Sequence, residues 1–265
     1  MKPRISVVIN TFNEEKNLPY ALRSVQMWAD ETVVVDMQSK DRTVEIARQF
    51  GAKVYLHEGP GFDYAPRQFA VAQASSEWIF VLDADELVPP ALREDLKSIA
   101  ETSGAEVILI PRKNYLLGGA LNYTGWGPEQ DLQTRFFRKD KICASSIAHQ
   151  DFLPKAKAKV FKLPFRGNNA IIHFPYFDSA HFIEKLNRYT SIEAQQAMDR
   201  GERVTLLRAV LRAVNEFVTR YIRLKGYRDG WRGLYLSLFM SFYRAATSAK
   251  LKELEMVGSR DHVRD

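Results

Sequence analysis

The chain has 265 residues, 46% of them apolar and 12% aromatic, so it is long enough to bury a sizeable core. Its single cysteine, Cys143, excludes an internal disulfide and fits a reducing compartment. The net charge of +6 resides in residues 201–265, which predicts an anionic partner or a solvated basic helix face. No apolar run is long enough to suggest a membrane span, and the first ten residues do not resemble a signal peptide.

The first hundred residues alternate between strand-like and helix-like segments. Apolar runs predict strands at Ile5–Ile9, Thr32–Val35, Lys53–Leu56 and Trp78–Leu82. Helical spacing of apolar residues predicts helices at Glu15–Trp28, Val44–Phe50 and Pro66–Ala74. This alternation is typical of βαβ units, and continuous apolar strands indicate a sheet covered on both faces. The predicted fold class is therefore α/β with a mainly parallel central sheet.

The remainder of the chain changes character twice. Residues 105–175 predict strands at Glu106–Ile110, Gln133–Phe137 and Ala170–His173. From Phe177 onward, long periodic segments predict helices at His181–Met198, Thr205–Lys225 and Trp231–Leu254. The predicted organisation is an α/β domain over 1–175 and a helical C-terminal extension over 176–265.

Polar residues follow three of the predicted strands. These segments read 10-NTFNEE-15, 36-DMQSKD-41 and 83-DADE-86. In an open α/β sheet, ligands bind beyond the carboxyl ends of the parallel strands. All three segments are therefore expected to lie at one edge of the sheet and to form a ligand site there.

Asp83 and Asp85 flank one residue at the end of the fourth strand. Alternate residues of an extended segment share a face, so both carboxylates can point to one place. Two hard oxygen ligands beside a diphosphate suit Mg²⁺ or Mn²⁺, which would offset the charge on a departing phosphate. The alternative is a capped turn that opens a helix.

The other two strand ends suit a nucleoside. Asp36 could accept a hydrogen bond from a base N–H, and Phe12 could stack on the ring. Asn10, Thr11 and Asn13 could add hydrogen bonds. The alternatives are helix capping for Asp36 and core packing for Phe12.

Three further side chains have two interpretations each, and a fourth has one. Arg67, at the start of a predicted helix, would pair with a diphosphate or with the acidic cluster. His149 would face the metal or a phosphate, or lie on the surface. Trp126 would stack on an acceptor sugar or pack in its loop. His173 is expected to be structural.

The chain resembles a known family through these residues together. ISVVINTFNEEKNL, VVVDMQSKDRT, the helix bearing Arg67 and FVLDADE are similar to inverting family 2 glycosyltransferases of the GT-A fold. The segments 125-GWGPEQDLQTRFFRKDK-141, 147-IAHQDF-152, 171-IIHFPYFDSAHFIEKLNRYTSIEAQ-195 and 217-FVTRYIRLKGYRDGWRGLYLSLFMSFYRAATSAKLKELE-255 resemble the bacterial subgroup that includes lipopolysaccharide core β-glucosyltransferases. The resemblance covers nearly the whole chain.

This resemblance implies an inverting hexosyltransferase with a UDP-sugar donor and an Mg²⁺ or Mn²⁺ cofactor. Residues 1–175 would be the catalytic domain, with a nucleotide half over about 1–100 and an acceptor half over about 101–175. Its implied assignments, by position, are the nucleoside for Thr11, Phe12 and Asp36, the diphosphate for Arg67, the ribose for Asp83 and the metal for Asp85.

The position of the general base departs from the family pattern. The subgroup usually has His-Glu where this chain has His149-Gln150, and an amide cannot take a proton from the acceptor hydroxyl near neutral pH. The competing candidates are Asp151, Glu129 and Asp131. A smaller departure is Gln68, where an Asn commonly follows the arginine.

The predicted helix Thr205–Lys225 is amphipathic and basic. One interpretation is that it packs on the catalytic domain. The other is that it lies on an anionic membrane surface, where a lipid-linked or lipopolysaccharide-type saccharide acceptor would be found. The second interpretation implies a cytoplasmic protein, peripheral on the inner face of the cytoplasmic membrane. No nucleic-acid partner is expected.

Two other functions compete with glycosyl transfer. A nucleotidyltransferase would share the sheet and the acids, but it should carry a glycine-rich, basic loop where this chain has the acidic NTFNEE. A non-enzymatic module that binds sugar nucleotides is compatible with Gln150.

Overall fold

A computed structural model of the protein describes residues 3–58, 65–144 and 152–261. The chain divides into two compact units. The α/β unit comprises Met1–Lys113 and Asp131–Phe174, and the helical unit comprises Asn114–Gln130 and Pro175–Asp265. The predicted α/β class with a helical C-terminal extension is confirmed.

The strands and helices follow the predicted alternation over the first half of the chain. The strands among the described residues are β1 (Ile5–Thr11), β2 (Glu31–Asp36), β3 (Lys53–Leu56), β4 (Trp78–Asp83), β5 (Glu86–Leu87), β6 (Val107–Leu116), β7 (Gly119–Ala120), β8 (Leu132–Arg138), β9 (Ile142–Ala144), β10 (Phe152–Pro154), β11 (Val160–Lys162) and β12 (Ile171–His173). The α-helices are α1 (Leu18–Val25), α2 (Thr43–Gln49), α3 (Ala65–Gln73), α4 (Pro90–Thr102), α5 (Ser179–Asp199), α6 (Leu206–Val218) and α7 (Gly230–Asp261).

The main sheet has a parallel part and an antiparallel part. Its strand order is β3-β2-β1-β4-β8-β6-β12-β5. The first four strands in this order are parallel to one another. Strand β8 is antiparallel to both β4 and β6, and β12 is antiparallel to β5. The parallel part is therefore formed by the first four strands of the sequence.

Helices cover both faces of the parallel part. Val7 and Ile9 of β1 pack on one side with residues of α1 and α4, whereas Val8 packs on the other side with residues of α3. All three valine and isoleucine side chains are fully buried. Burying each such side chain contributes about 1.5–3 kcal/mol to folding, so the continuous apolar strand is explained by its two covered faces.

Helix α4 is absent from the sequence prediction. Its first residue is Pro90, preceded by Pro89 in an extended conformation. A proline at the first helical position loses no hydrogen bond and has the correct φ, so it begins a helix here. The fully buried Leu92 and Leu96 anchor the helix in the core.

The helical unit includes a loop that the sequence analysis placed with the first domain. Asp229 accepts main-chain hydrogen bonds from Asn122 and Tyr123, both 2.9 Å long. Leu116 and Leu121 belong to an apolar cluster with residues of α5 and α7. These contacts attach residues 114–130 to the C-terminal helices.

The predicted helix Thr205–Lys225 is shorter in the structure. Helix α6 ends at Val218, and a wider helical turn follows over Thr219–Arg223. Lys225 has a positive φ of 58°, which ends the helical path before α7. Among the described residues, none of the helices combines the length and apolar character needed to cross a membrane.

We expect Glu31→Gln to destabilise the α/β unit by about 2 kcal/mol near pH 7, a value discounted because its partner Lys53 is exposed. Burial opposes the charge on Glu31, but hydrogen bonds from Lys53, Ser6 and Ser75 lower its pKa to about 2. A carboxylate with a lowered folded-state pKa stabilises above the unfolded value and loses this contribution as pH falls. The difference between wild type and variant should therefore narrow from pH 4.5 towards 2.

Urea unfolding at a series of pH values measures this difference. The control is Glu45→Gln, because Glu45 pairs with Arg42 on the surface. A gap between wild type and Glu31→Gln that stayed constant across the acid range would contradict the assignment.

Candidate active site

The register of the parallel strands brings the predicted polar ends together. Thr11 pairs with Asp36 across β1 and β2, and Asn10 pairs with Asp83 across β1 and β4. These four residues therefore lie side by side at one edge of the sheet. This edge is where α/β proteins bind ligands.

Asp36 organises this edge from within the protein. It is fully buried, and its carboxylate accepts hydrogen bonds from Thr11 Oγ1 (3.1 Å), the Ser39 main-chain N–H (2.8 Å) and Ser39 Oγ (2.5 Å). The Met37 N–H donates to the Thr11 carbonyl (2.8 Å). Asp36 therefore holds the end of β1 to the loop after β2.

The loops after β1 and β2 hydrogen-bond to each other. The Asn13 N–H donates to Ser39 Oγ, and Asn13 Oδ1 accepts from the Lys40 N–H, both at 2.8 Å. The Glu14 N–H donates to Thr43 Oγ1, also at 2.8 Å. Asn13 has a φ of 56°, a left-handed conformation that asparagine tolerates better than most residues. These hydrogen bonds join the two loops, which we call the platform. The half-buried Phe12 belongs to the first of these loops.

The Asn10 amide has unused hydrogen-bonding capacity. Both Nδ2 and Oδ1 are buried, and neither has a hydrogen-bond partner among the described residues. Buried polar atoms are almost always paired, so an amide without a partner among the described residues is a candidate contact for a ligand. Its position beside Asp83 marks this edge as a ligand site.

Asp83 lies between two arginines. Its carboxylate pairs with Arg67 Nη2 and with Arg135 Nη2, both at 2.5 Å. Burial opposes the charge on Asp83, but the guanidinium groups of Arg135 and Arg67 outweigh burial and hold its pKa well below the usual value. The predicted salt bridge between Arg67 and the acidic cluster is therefore present. Both oxygens of Asp83 contact arginines, so the metal predicted at Asp83 and Asp85 would share the Asp83 carboxylate with Arg67 and Arg135.

The network of arginine–carboxylate pairs extends to Glu86 and Asp131. Three of its members, Glu86, Arg112 and Arg135, were not among the predicted site residues. Glu86 is fully buried and accepts from the Asp83 N–H at 3.0 Å. Arg112 pairs with Glu86 (3.3 Å) and Asp131 (2.9 Å), and Arg135 lies 3.7 Å from Glu86. A signal was present for Arg135, since it directly precedes the apolar strand residues Phe136 and Phe137, and a buried arginine is normally paired.

Asp85 lies beside a histidine that was expected to be structural. His173 Nε2 is 3.6 Å from Asp85 Oδ1, and the Phe174 N–H donates to the Asp85 carbonyl at 3.0 Å. The antiparallel pairing of β12 with β5 sets His173 opposite Glu86 and so brings it to Asp85. Sequence patterns could not show this pairing because 87 residues of chain separate Glu86 from His173.

Carboxylate and imidazole together suit a divalent ion, so the residues fit a metal held by Asp85 and His173. In the part of the chain that the structure describes, no group of three or more His, Cys, Asp or Glu side chains could hold a metal. Among the described residues, Asp85 and His173 would be its donors, and oxygen atoms of a bound phosphate would suit further positions. This arrangement is common for Mg²⁺, which binds one or two carboxylates together with phosphates.

The remaining candidates differ in their surroundings. Asp131 accepts from Arg112 and from Gln133 Nε2, whereas Glu129 is exposed in the turn before it. Trp126 packs within the helical unit, where its ring stacks on Tyr176 with 6.3 Å between ring centres. The candidates His149 and Asp151, together with Gln150, lie outside the described residues.

The fold and the edge residues define an α/β protein with its ligand site at the carboxyl ends of parallel strands. The family model of glycosyl transferase family 2 matches residues 6–153. The chain belongs to glycosyl transferase family 2.

Individual proteins are similar to the chain over most of its length. The chain is 27% identical to a lipopolysaccharide core biosynthesis glycosyltransferase, LpsC, from Rhizobium meliloti, over 98% of this chain and 96% of that protein. It is 24% identical to an uncharacterised glycosyltransferase, RT0209, from Rickettsia typhi, over 96% of this chain and 88% of that protein. Among solved structures, S. aureus TarS 1–349 aligns with 15% identity and a TM-score of 0.49, over 97% of this chain and 92% of that one.

We expect Arg135→Gln to destabilise the protein by about 3 kcal/mol, because it leaves the fully buried Glu86 and the partly buried Asp83 with one arginine fewer. The side chain of Arg135 is 5% exposed, and it contacts both Asp83 and Glu86. The matched variant Arg67→Gln should cost about 1 kcal/mol or less, because water can reach Arg67, which is 25% exposed. Urea unfolding at neutral pH measures the free energy of unfolding of both variants. An equal loss of stability in the two would contradict the larger contribution assigned to the buried Arg135.

Proposed function

We propose that the protein is a metal-dependent inverting glycosyltransferase that moves a hexose from a UDP-sugar to a lipid-linked saccharide of the lipopolysaccharide-core type. Family membership supports glycosyl transfer. The observation that carries the finer proposal is the single sheet edge at which Asn10, Arg67 and the Asp85–His173 pair accompany Asp83. An unpaired amide, a partly exposed arginine and a carboxylate–imidazole pair match a nucleoside, a diphosphate and a metal.

In this proposal the uridine lies on the platform formed by the loops after β1 and β2. Phe12 stacks on the base, and Thr11, Asn10 and Asn13 supply hydrogen bonds. Asp36 acts by holding this platform together, because its carboxylate is fully buried and already accepts three hydrogen bonds.

The diphosphate lies against Arg67 in this proposal. Arg67 pairs with Asp83 and is the more exposed of its two arginine partners, so it can turn towards a phosphate while Arg135 keeps Asp83 ionised. Asp83 then faces the ribose, as the family resemblance implies. Arg67 would thus pair with Asp83 in the absence of a donor and contact the diphosphate when a donor binds.

Asp85 and His173 would hold the Mg²⁺ or Mn²⁺. The ion would supply positive charge to the departing nucleoside diphosphate. The chain's own contribution is to orient both donors, which it does through the β5–β12 pairing and the hydrogen bond from Phe174.

An inverting transfer also needs a base that takes the proton of the acceptor hydroxyl. The three candidates are Asp151, Glu129 and Asp131. Asp131 is constrained by Arg112 and Gln133, so its proton-accepting oxygens are already in use. Glu129 has an exposed carboxylate on a short turn, which leaves it available.

The acceptor side of the proposal is a saccharide anchored in the inner face of the cytoplasmic membrane. The similarity to LpsC, a lipopolysaccharide core biosynthesis glycosyltransferase, supports this acceptor class. We assign acceptor contacts to Trp126 and His149. Trp126 stacks on Tyr176, so an acceptor sugar would meet the remaining exposed part of the indole.

Calorimetric titration of UDP with and without Mn²⁺ tests the donor and metal assignments. We expect wild type to bind UDP more tightly with Mn²⁺ than without it. In Asp85→Asn and in His173→Ala, the UDP affinity measured with Mn²⁺ should fall at least about tenfold, which is the usual cost of altering a metal site. Glu45→Gln, on the surface of α2, is the control and should bind as wild type does. Metal-independent binding in wild type, or an unchanged metal effect in both variants, would count against the proposal.

Transfer assays with several UDP-sugars test the general base. We expect one of Glu129→Gln, Asp131→Asn and Asp151→Asn to lower kcat by about 10²–10⁴ while UDP affinity stays within twofold of wild type, because a base acts on the acceptor. The variant that behaves in this way identifies the base. If wild type binds UDP but transfers and hydrolyses no sugar, the non-enzymatic binding module is the better account.

A further inference from the structure

Helix α6 carries an apolar face that is exposed. Five of its apolar residues share one side of the helix at spacings of one, three and four residues, and each of the five is more than half exposed. They are Leu206 (83%), Leu207 (68%), Val210 (51%), Leu211 (57%) and Val214 (54%). No residue of α6 is buried. A surface helix normally buries such a face, so this one is unexplained by packing.

Helix α7 carries a second exposed stripe of larger side chains. Trp231, Tyr235, Leu238 and Phe242 follow one another at four, three and four residues and are 47–59% exposed. The other side of α7 contains Leu236, Phe239 and Tyr243, which pack with Phe182 and Leu186 of α5. The exposed stripe is therefore separate from the packed side of the helix.

The two stripes lie on one side of the α6–α7 hairpin. Ser241 Oγ donates to the Ala213 carbonyl (2.8 Å), and Arg244 Nε pairs with Glu216 (3.3 Å). These contacts fix how each helix is rotated towards the other. With 100° between successive residues and opposite chain directions, both stripes then point away from α5. We call the nine residues of these two stripes the hairpin face.

Exposed basic residues surround one end of the hairpin face. Arg223, Lys225 and Arg228 are exposed in the connection between α6 and α7. The exposed aromatic residues Tyr227 and Trp231 lie among them. The acid of this connection, Asp229, accepts hydrogen bonds from two main-chain N–H groups, and its single negative charge leaves these three basic residues in excess.

We propose that the hairpin face is a docking surface for an anionic lipid bilayer, with the α6–α7 hairpin lying in the plane of the interface. Apolar side chains enter the acyl boundary, Tyr227 and Trp231 lie at headgroup level, and the basic connection meets anionic headgroups. This inference rests on the proposed function, because the proposed acceptor is linked to a lipid and would be found in a bilayer. It assigns the docking to particular residues.

Charge favours a bilayer over a second copy of the chain. Residues 201–265 carry the whole net charge of +6. Two copies that paired through the hairpin face would bring two equally basic segments together, whereas an anionic bilayer offers the opposite charge over a large area.

Flotation of the full chain with vesicles tests the surface. We expect binding to vesicles of phosphatidylcholine with phosphatidylglycerol, weaker binding to phosphatidylcholine alone, and weakening with added salt. Leu207→Gln/Val214→Gln should reduce binding at least about tenfold, because two apolar contacts are removed without adding charge. Arg223→Gln/Lys225→Gln should reduce binding only to the anionic vesicles, by about fivefold for each charge.

The matched control is Met27→Gln/Ile183→Gln. Met27 is 92% exposed and Ile183 is 50% exposed, and both lie outside the hairpin face. Vesicle binding of this control should equal that of wild type. Circular dichroism should show the same helix content for all variants, because none of the changed apolar side chains is buried.

Two results would overturn the docking surface. One is equal vesicle binding by wild type and the hairpin-face variants. The other is a wild-type dimer by light scattering that becomes monomeric in Leu207→Gln/Val214→Gln with no change in vesicle binding. UDP titration in the absence of vesicles keeps the two proposals apart, since the hairpin-face variants should bind UDP as wild type does even if docking is lost.

Discussion

Main-chain hydrogen bonds between β1 and its two parallel neighbours place Thr11 beside Asp36 and Asn10 beside Asp83. A shift of one residue in either pairing would turn these side chains to the other face of the sheet, so the register determines whether a site exists. The fully buried Val7, Val8 and Ile9 hold that register because any slip would expose part of the core. The site's chemistry thus depends on the apolar interior of the strand that precedes it.

The three acids at the end of β4 differ in the basic side chains that face them. Asp83 and Glu86 are neutralised by arginines, whereas Asp85 faces His173. Arginine stays charged at all physiological pH values, so the Asp83 and Glu86 pairs persist over that range. Asp83 and Glu86 are thus paired within the protein, whereas the Asp85 carboxylate is the one proposed to contact a metal.

The parallel half of the fold could be predicted from sequence because its signals are local. Apolar runs and helical spacing lie within single segments, and polar residues at strand ends follow directly from them. The antiparallel partners could not be predicted in this way. The meeting of His173 with Asp85, and of Arg112 with Glu86, arises from pairing between distant strands. The loop 114–130 was likewise misassigned because Asp229, which holds it, lies about a hundred residues later.

Anomalous diffraction from crystals grown with UDP and Mn²⁺ tests the central claim most directly. The account predicts a manganese peak within coordination distance of the Asp85 carboxylate and of His173 Nε2, with the diphosphate against Arg67 and the base over Phe12. Manganese and UDP bound away from the ends of β1, β2 and β4 would contradict it.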